Sequence, residues 1–200
     1  MTQPTTQSGS GLVPTVGQTV GPFFHDALPW PGDRHLVAPG DAGAVRLAGR
    51  VLDGEGAPVP DALVELWQAG ADGRPATAPG SLRRDGHTFT GFGRCATDEE
   101  GWWSFTTLPP VTPRGGAVAY VSLAVFARGL LDRLLTRAYL PGTPVDGTSG
   151  DGVLDGVAAD RRATLVMAAD DPGYRFDVRL QGEGETVFLC WPRDPRAGGR

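Results

Sequence analysis

Apolar and polar residues trade places every second position in several short stretches of this chain, the period of a half-buried β-strand. Tyr174-Arg-Phe-Asp-Val-Arg-Leu180 sets Tyr, Phe, Val and Leu against Arg175, Asp177 and Arg179. Val45 to Leu52 sets Val45, Leu47 and Val51 against Arg46 and Arg50. Ala62–Trp67, Gly93–Thr97, Trp102–Thr107, Val118–Ala127, Leu134–Leu140, Ala163–Ala168 and Thr186–Cys190 read as further strands. Asp53–Gly56, Asp98–Glu-Glu–Gly101 and Asp170–Gly173 carry turn residues, and the middle turn predicts a β-hairpin joining Gly93–Thr97 to Trp102–Thr107. Trp102 and Trp103 are adjacent and so point to opposite faces of one strand. One is expected in the core and the other under a partner chain, where Trp is enriched. Only Val153 to Arg162 reads as a helix. Short strands at this spacing predict an all-β fold, a single β-sandwich domain over residues 17–192. Residues 1–16 are expected to form a flexible N-terminal arm and 193–200 a flexible tail. Residues 69–90 form a long polar excursion of the functional or partner-contacting kind.

Composition narrows the picture. Thirty Gly and 18 Pro in 200 residues exclude a helix bundle and suit strands joined by tight turns. The net charge is −5 with no block of like charges, so neither nucleic acid nor a membrane surface is an expected partner. No apolar run approaches the roughly 18 residues of a bilayer span. The first ten residues lack the basic and apolar regions of a signal peptide, and a cytoplasmic location is expected. Cys190 lies in the apolar run Val187–Trp191, which predicts a buried, inert thiol. Cys95 lies on a strand, and a disulfide between the two is not expected. Zinc-type spacing of His and Cys is absent.

Several segments together resemble the intradiol ring-cleavage dioxygenases, and within them the iron-free alpha-type chains. They are Gln18-Thr-Val-Gly-Pro22, Leu47-Ala-Gly-Arg-Val51, Val64-Glu-Leu-Trp-Gln68, Gly91-Phe-Gly-Arg94, Phe126-Ala-Arg-Gly129, Thr136-Arg137 and Tyr174 to Phe188. They occur in order and run through nearly the whole chain. The family's fold is the sandwich already expected from the strand pattern.

The resemblance implies chemistry that this chain does not carry alone. In the family two Tyr and two His hold Fe(III), which acts as a Lewis acid and activates the chelated catechol for attack by O2. The position of the first Tyr is Pro75 here. The segment expected to hold the second, Pro109–Pro113, has no Tyr. The His-x-His strand reads Tyr120 and Ser122. The resemblance therefore implies no metal and no catalytic residue on this chain, with Fe(III) held by a homologous beta subunit in an alpha–beta hetero-oligomer. Thr19, Gly21, Pro22 and Arg128 are implied to line that partner's pocket, and Arg128 to meet a carboxylate. The implied substrates are protocatechuate and O2, and the product 3-carboxy-cis,cis-muconate. Arg94 reads as structural. A different iron site from His25, His35 and a carboxylate is conceivable, but His25, His35 and His87 read more simply as loop histidines, and Tyr174 as a core or interface residue. The alternative function is a non-catalytic, transthyretin-like β-sandwich that binds or scaffolds.

Overall fold

A computed structural model describes residues 18–77 and 84–190. The expected arm at 1–16 and tail at 193–200 lie outside the described residues. A single helical turn, α1 (Phe24–Ala27), precedes β1 (Val45–Leu52), β2 (Leu63–Trp67), β3 (Phe92–Ala96) and β4 (Trp102–Thr107). Next come β5 (Tyr120–Phe126), β6 (Leu134–Tyr139), the short α2 (Gly152–Asp155) and a 3-10 turn at Arg162–Leu165. The chain closes with β7 (Ala168–Asp170), β8 (Gly173–Arg175) and β9 (Val178–Arg179). The strands form two sheets: one in the order β4-β1-β8-β7 with β9 also on β1, the other in the order β3-β2-β5-β6. The second sheet is antiparallel throughout, whereas β8 and β9 run parallel to β1.

Alternation decides what is buried. In β4, Trp103, Phe105 and Thr107 point inward and Trp102, Ser104 and Thr106 outward. Leu47, Val51, Trp103 and Phe105 of the first sheet join Val64, Leu66, Leu123 and Val125 of the second in one core. Each such side chain contributes roughly 1.5–3 kcal/mol by leaving water. A smaller cluster, Tyr139, Leu154 and Leu165, fills the space beneath α2 and the 3-10 turn.

The predicted hairpin is half right. Asp98 accepts from the Glu100 and Trp102 backbone N–H groups at 3.2 and 2.7 Å, so the turn forms. Its two strands do not pair: β3 joins β2 and β4 joins β1. Both strands aim side chains at the same interior, and Gly93 leaves the space that Phe105 occupies. A Cβ at Gly93 would lie 2.8 Å from Phe105 Cδ1. The turn is thus a crossover between sheets.

The strand Tyr174–Leu180 is interrupted at Phe176 and Asp177. Phe176 N–H donates to Ala48 O at 2.8 Å, and then the Asp177 carboxylate, in place of a backbone carbonyl, accepts from Arg50 N–H at 2.9 Å. The helix predicted from Val153 to Arg162 shrinks to one turn, capped by Asp151 accepting from Val153 and Leu154 N–H. Gly156 ends it, and Arg162 donates to the carbonyls of Val145, Asp155 and Val157. Ala163–Ala168 begins within the 3-10 turn and reaches β7 only at Ala168. Thr186–Cys190 is no ladder strand; it is tied at separate points, Thr186 N–H to Arg179 O and Leu189 N–H to Leu135 O. Cys95 is buried but Cys190 is exposed, against expectation, because it follows the last of those ties; both are free thiols. Trp103 is the core tryptophan, and Trp102 is covered within the chain by the Arg50 and Arg175 guanidinium groups, 5.6 and 4.8 Å from its ring centroid.

Candidate functional site

Strand register brings the first group of predicted positions together. The β2–β5 pairing sets Trp67 opposite Ser122. The β5–β6 pairing sets Tyr120 opposite Tyr139 and Ser122 opposite Arg137. Tyr120 and Ser122 are two apart and so share a face. The chain leaving β2 folds back through an Ala69–Pro75 bridge, with Gly70 N–H donating to Arg74 O at 2.8 Å. Gly73 sits at φ +73°, and its Cβ would lie 2.8 Å from Thr112 O, so only glycine lets the proline-rich segment approach. Arg114 N–H donates to Gly73 O at 2.6 Å and holds it there. The result is a cavity of about 270 Å³ whose walls include Pro75, Pro113, Tyr120, Ser122, Trp67 and Gln68.

Most polar groups of that corner find partners within the chain, although the buried Arg137 Nε has none among the described residues. The Arg137 guanidinium lies 3.9 Å from the Tyr120 ring centroid and pairs with Asp151 at 3.1 Å. Burial pushes the Tyr139 phenol up to about 12, with Asp151 3.4 Å away. Gln68 donates to Leu108 O and accepts from Thr107 Oγ1, each at 2.8 Å, so its amide is engaged. The donor set does not fit a ferric ion: the prolines offer no side-chain donor, Ser122 a neutral hydroxyl and Tyr120 a single phenol. Among the described residues no three His, Cys, Asp or Glu side chains converge.

The histidines lie elsewhere. His25 is beside Asp26, Nε2 to Oδ1 3.6 Å. His35 Nδ1 lies 3.1 Å from Thr106 Oγ1, and burial, helped by Arg34 and Arg84, lowers its pKa. His87 is exposed, and Tyr174 packs against the main core. Among the described residues the His25–His35–carboxylate triad is not assembled. Arg94 is structural: it pairs with Glu65 at 2.6 Å and donates to Leu28 O.

The second group also meets, at a different edge. Thr19 Oγ1 accepts from Gly129 N–H at 2.9 Å, which ties the Thr19–Pro22 segment to the end of the chain leaving β5. Gly21, at φ +77°, turns that segment, and Pro22 is exposed. Arg128 is 64% exposed, and its Nε lies 3.0 Å from Oδ2 of Asp61, itself 14% exposed. Beside them an open groove of about 580 Å³ is lined by Val20, Phe126, Leu130, Leu131 and Leu135 among others. Asp61 was not singled out from the sequence, and Trp67 and Arg137 entered only as parts of resembling segments, with no role assigned. Asp61 stands just before a strand, and no local pattern marks it as a partner for Arg128.

Comparison with known proteins gives a consistent set. A family model described as dioxygenase matches residues 21–182. The chain is 36% identical over 195 residues to the protocatechuate 3,4-dioxygenase alpha chain of Burkholderia cepacia, covering 89% of this chain and 98% of that one. It is 33% identical over 201 residues to the alpha chain of the same name from Pseudomonas putida, covering 89% and 96%. To the Burkholderia cepacia beta chain it is 31% identical over 191 residues, covering 84% and 76%. Among solved structures, the dioxygenase domain of a dioxygenase carbohydrate-binding protein fusion from Streptomyces sp. SirexAA-E superposes with a TM-score of 0.54 at 25% identity, covering 85% and 99%. Hydroxyquinol 1,2-dioxygenase from Pseudomonas putida DLL-E4 shares the fold, with a TM-score of 0.53 at 21% identity, covering 82% and 65%.

Proposed function

The chain belongs to the dioxygenase family, homologous to the alpha chains of the intradiol enzyme protocatechuate 3,4-dioxygenase, and from that premise we propose that it is the iron-free subunit of such an enzyme. In this reading it assembles with a homologous beta-type chain that holds Fe(III), and the complex opens protocatechuate with O2 to 3-carboxy-cis,cis-muconate. The observation that carries the proposal is the cavity at Pro75, Pro113, Tyr120 and Ser122, whose donors do not suit the family's metal. The longer coverage of alpha than of beta relatives, 98% against 76%, favours the same assignment.

This chain's part is then to finish a neighbour's pocket. Arg128 carries the positive charge that a substrate carboxylate needs, and among the described residues its one ion pair is made by Nε, with Asp61. The Thr19–Pro22 segment lies alongside, with Gly21 allowing close backbone approach. A cytoplasmic location belongs to the same proposal; no helix among the described residues is long and apolar enough to cross a membrane.

Co-expression with a homologous chain bearing two Tyr ligands and His-x-His tests the proposal. An equimolar complex that consumes O2 with protocatechuate is expected. This chain purified alone with a full complement of iron and tyrosinate-to-iron absorption would overturn it. If the two chains never co-purify, a non-catalytic β-sandwich becomes the better reading.

A further inference from the structure

The cavity beside Tyr120 and Ser122 has walls of a particular chemistry. Trp67 is 55% exposed there, although it is a large aromatic side chain, and it is steadied from behind by Phe92 at 4.5 Å between ring centroids. Tyr120 is held by the Arg137 guanidinium on its ring. Pro75, Ala76 and Pro113 supply aliphatic surface. Gly91, at φ +65°, would place a Cβ 2.8 Å from the Cβ of Ala76, so that wall is packed. The Gly70–Arg74 and Gly73–Arg114 backbone bonds fix the mouth. The site is therefore formed in advance of any ligand, as small-molecule sites usually are.

We propose that this cavity binds a small uncharged aromatic molecule, a single-ring phenol, and holds it without reacting with it. Size supports one ring: the cavity is about 270 Å³, and an apolar cavity of about 150 Å³ accepts benzene. Trp67 and Tyr120 offer ring faces for offset or edge contacts. Charge selects against acids, because among the described residues no lining side chain is charged. Arg137, stacked on the Tyr120 ring, already has Asp151 as its counter-ion, so a second carboxylate beside it would meet a like charge as well as a desolvation cost. Polarity is limited to a few handles, chiefly the Ser122 hydroxyl, since the Gln68 amide is engaged within the chain and the Thr90 hydroxyl donates to Phe92 O at 2.9 Å. A phenol's ring and hydroxyl match that arrangement. Among the described lining residues there is no imidazole, carboxylate or thiol to act as base or nucleophile, in keeping with binding without reaction.

Calorimetric titration of the full-length chain alone tests the assignment, with 4-methylphenol as the probe and benzoate and cyclohexanol as comparisons. Saturable binding of 4-methylphenol is expected, about tenfold or more tighter than either comparison compound. Ser122→Leu, which projects an apolar branch into the cavity, and Ala76→Leu, which narrows its mouth from a loop, should each weaken binding about tenfold or more with melting temperature little changed. No saturable heat with 4-methylphenol up to its solubility would overturn the assignment. Equal binding of benzoate, or binding indifferent to both substitutions, would overturn it too. The assay contains no partner chain and no iron, so its outcome is independent of whether the subunit assignment holds.

Discussion

At the scale of single residues, two side chains decide most of what can be tested. Arg128 is exposed and, among the described residues, paired only at Nε with Asp61, and exposed pairs of this kind add at most about 1 kcal/mol to stability. Arg128→Ala should therefore leave folding and assembly intact. In the assembled enzyme it should lower kcat/KM for protocatechuate about 10- to 100-fold, the worth of a charge-assisted hydrogen bond of ~1.5–3 kcal/mol. Catechol, which lacks the carboxylate, should be turned over almost unchanged; an equal loss on both substrates would remove Arg128 from carboxylate binding. His35 governs an acid-side effect. Burial and two arginines lower its pKa below the ordinary 6.5, so the unfolded chain takes up the proton first and stability falls as pH drops below about 6.5. Melting temperatures between pH 7.5 and 5 should show that fall, and His35→Gln should flatten part of it. Neither residue's partner was readable locally. Asp61 meets Arg128 only because β2–β5 pairing carries it there, and Thr106 meets His35 only because the segment around His35 bridges directly to β4.

At the scale of elements, glycine placement explains where period-two reasoning succeeded and where it stopped. The alternation in Val45–Leu52 and Trp102–Thr107 became strands with the predicted bounds. The alternation in Tyr174–Leu180 was equally regular but broke into β8 and β9, because a second strand had to fit against Gly49. A Cβ at Gly49 would lie 1.8 Å from Phe176 O and 3.0 Å from the Trp103 ring. Gly49→Ala must push β1 away from Phe176 and open the sheet. A loss of roughly 3 kcal/mol or more is expected, measured as a fall in denaturation midpoint, whereas Ala48→Gly on the same strand should cost only about 1 kcal/mol. The crossover at Asp98–Gly101 carries the same lesson. Its turn chemistry is local and was legible, but the choice between pairing β3 with β4 and splitting them between sheets rests on Gly93 making room for Phe105.

At the scale of the whole molecule, the exposed apolar side chains point to how the chain is completed. Val20 and Leu131 are 47% and 64% exposed and line the groove beside Arg128. The proposed heteromer would place that groove at the subunit contact. Leu131→Asp should weaken co-purification with the iron-bearing chain while leaving this chain's own melting temperature unchanged, because Leu131 contributes little to its core. A complex that survives the substitution intact would move the contact elsewhere. The sequence by itself determined the residue types: a sandwich's worth of short strands, no imidazole at positions 120 and 122, and a Pro at 75. Those are properties of positions, and strand periodicity is a property of neighbours two apart. Only the tertiary structure decided which strands pair. It alone drew Pro75 and Pro113 over Tyr120 and Ser122 to leave one aromatic-walled cavity, and tied Thr19 to Gly129 beside Arg128. Such meetings join residues far apart in the chain, and they are selected by sheet order and core packing, which no local stretch encodes.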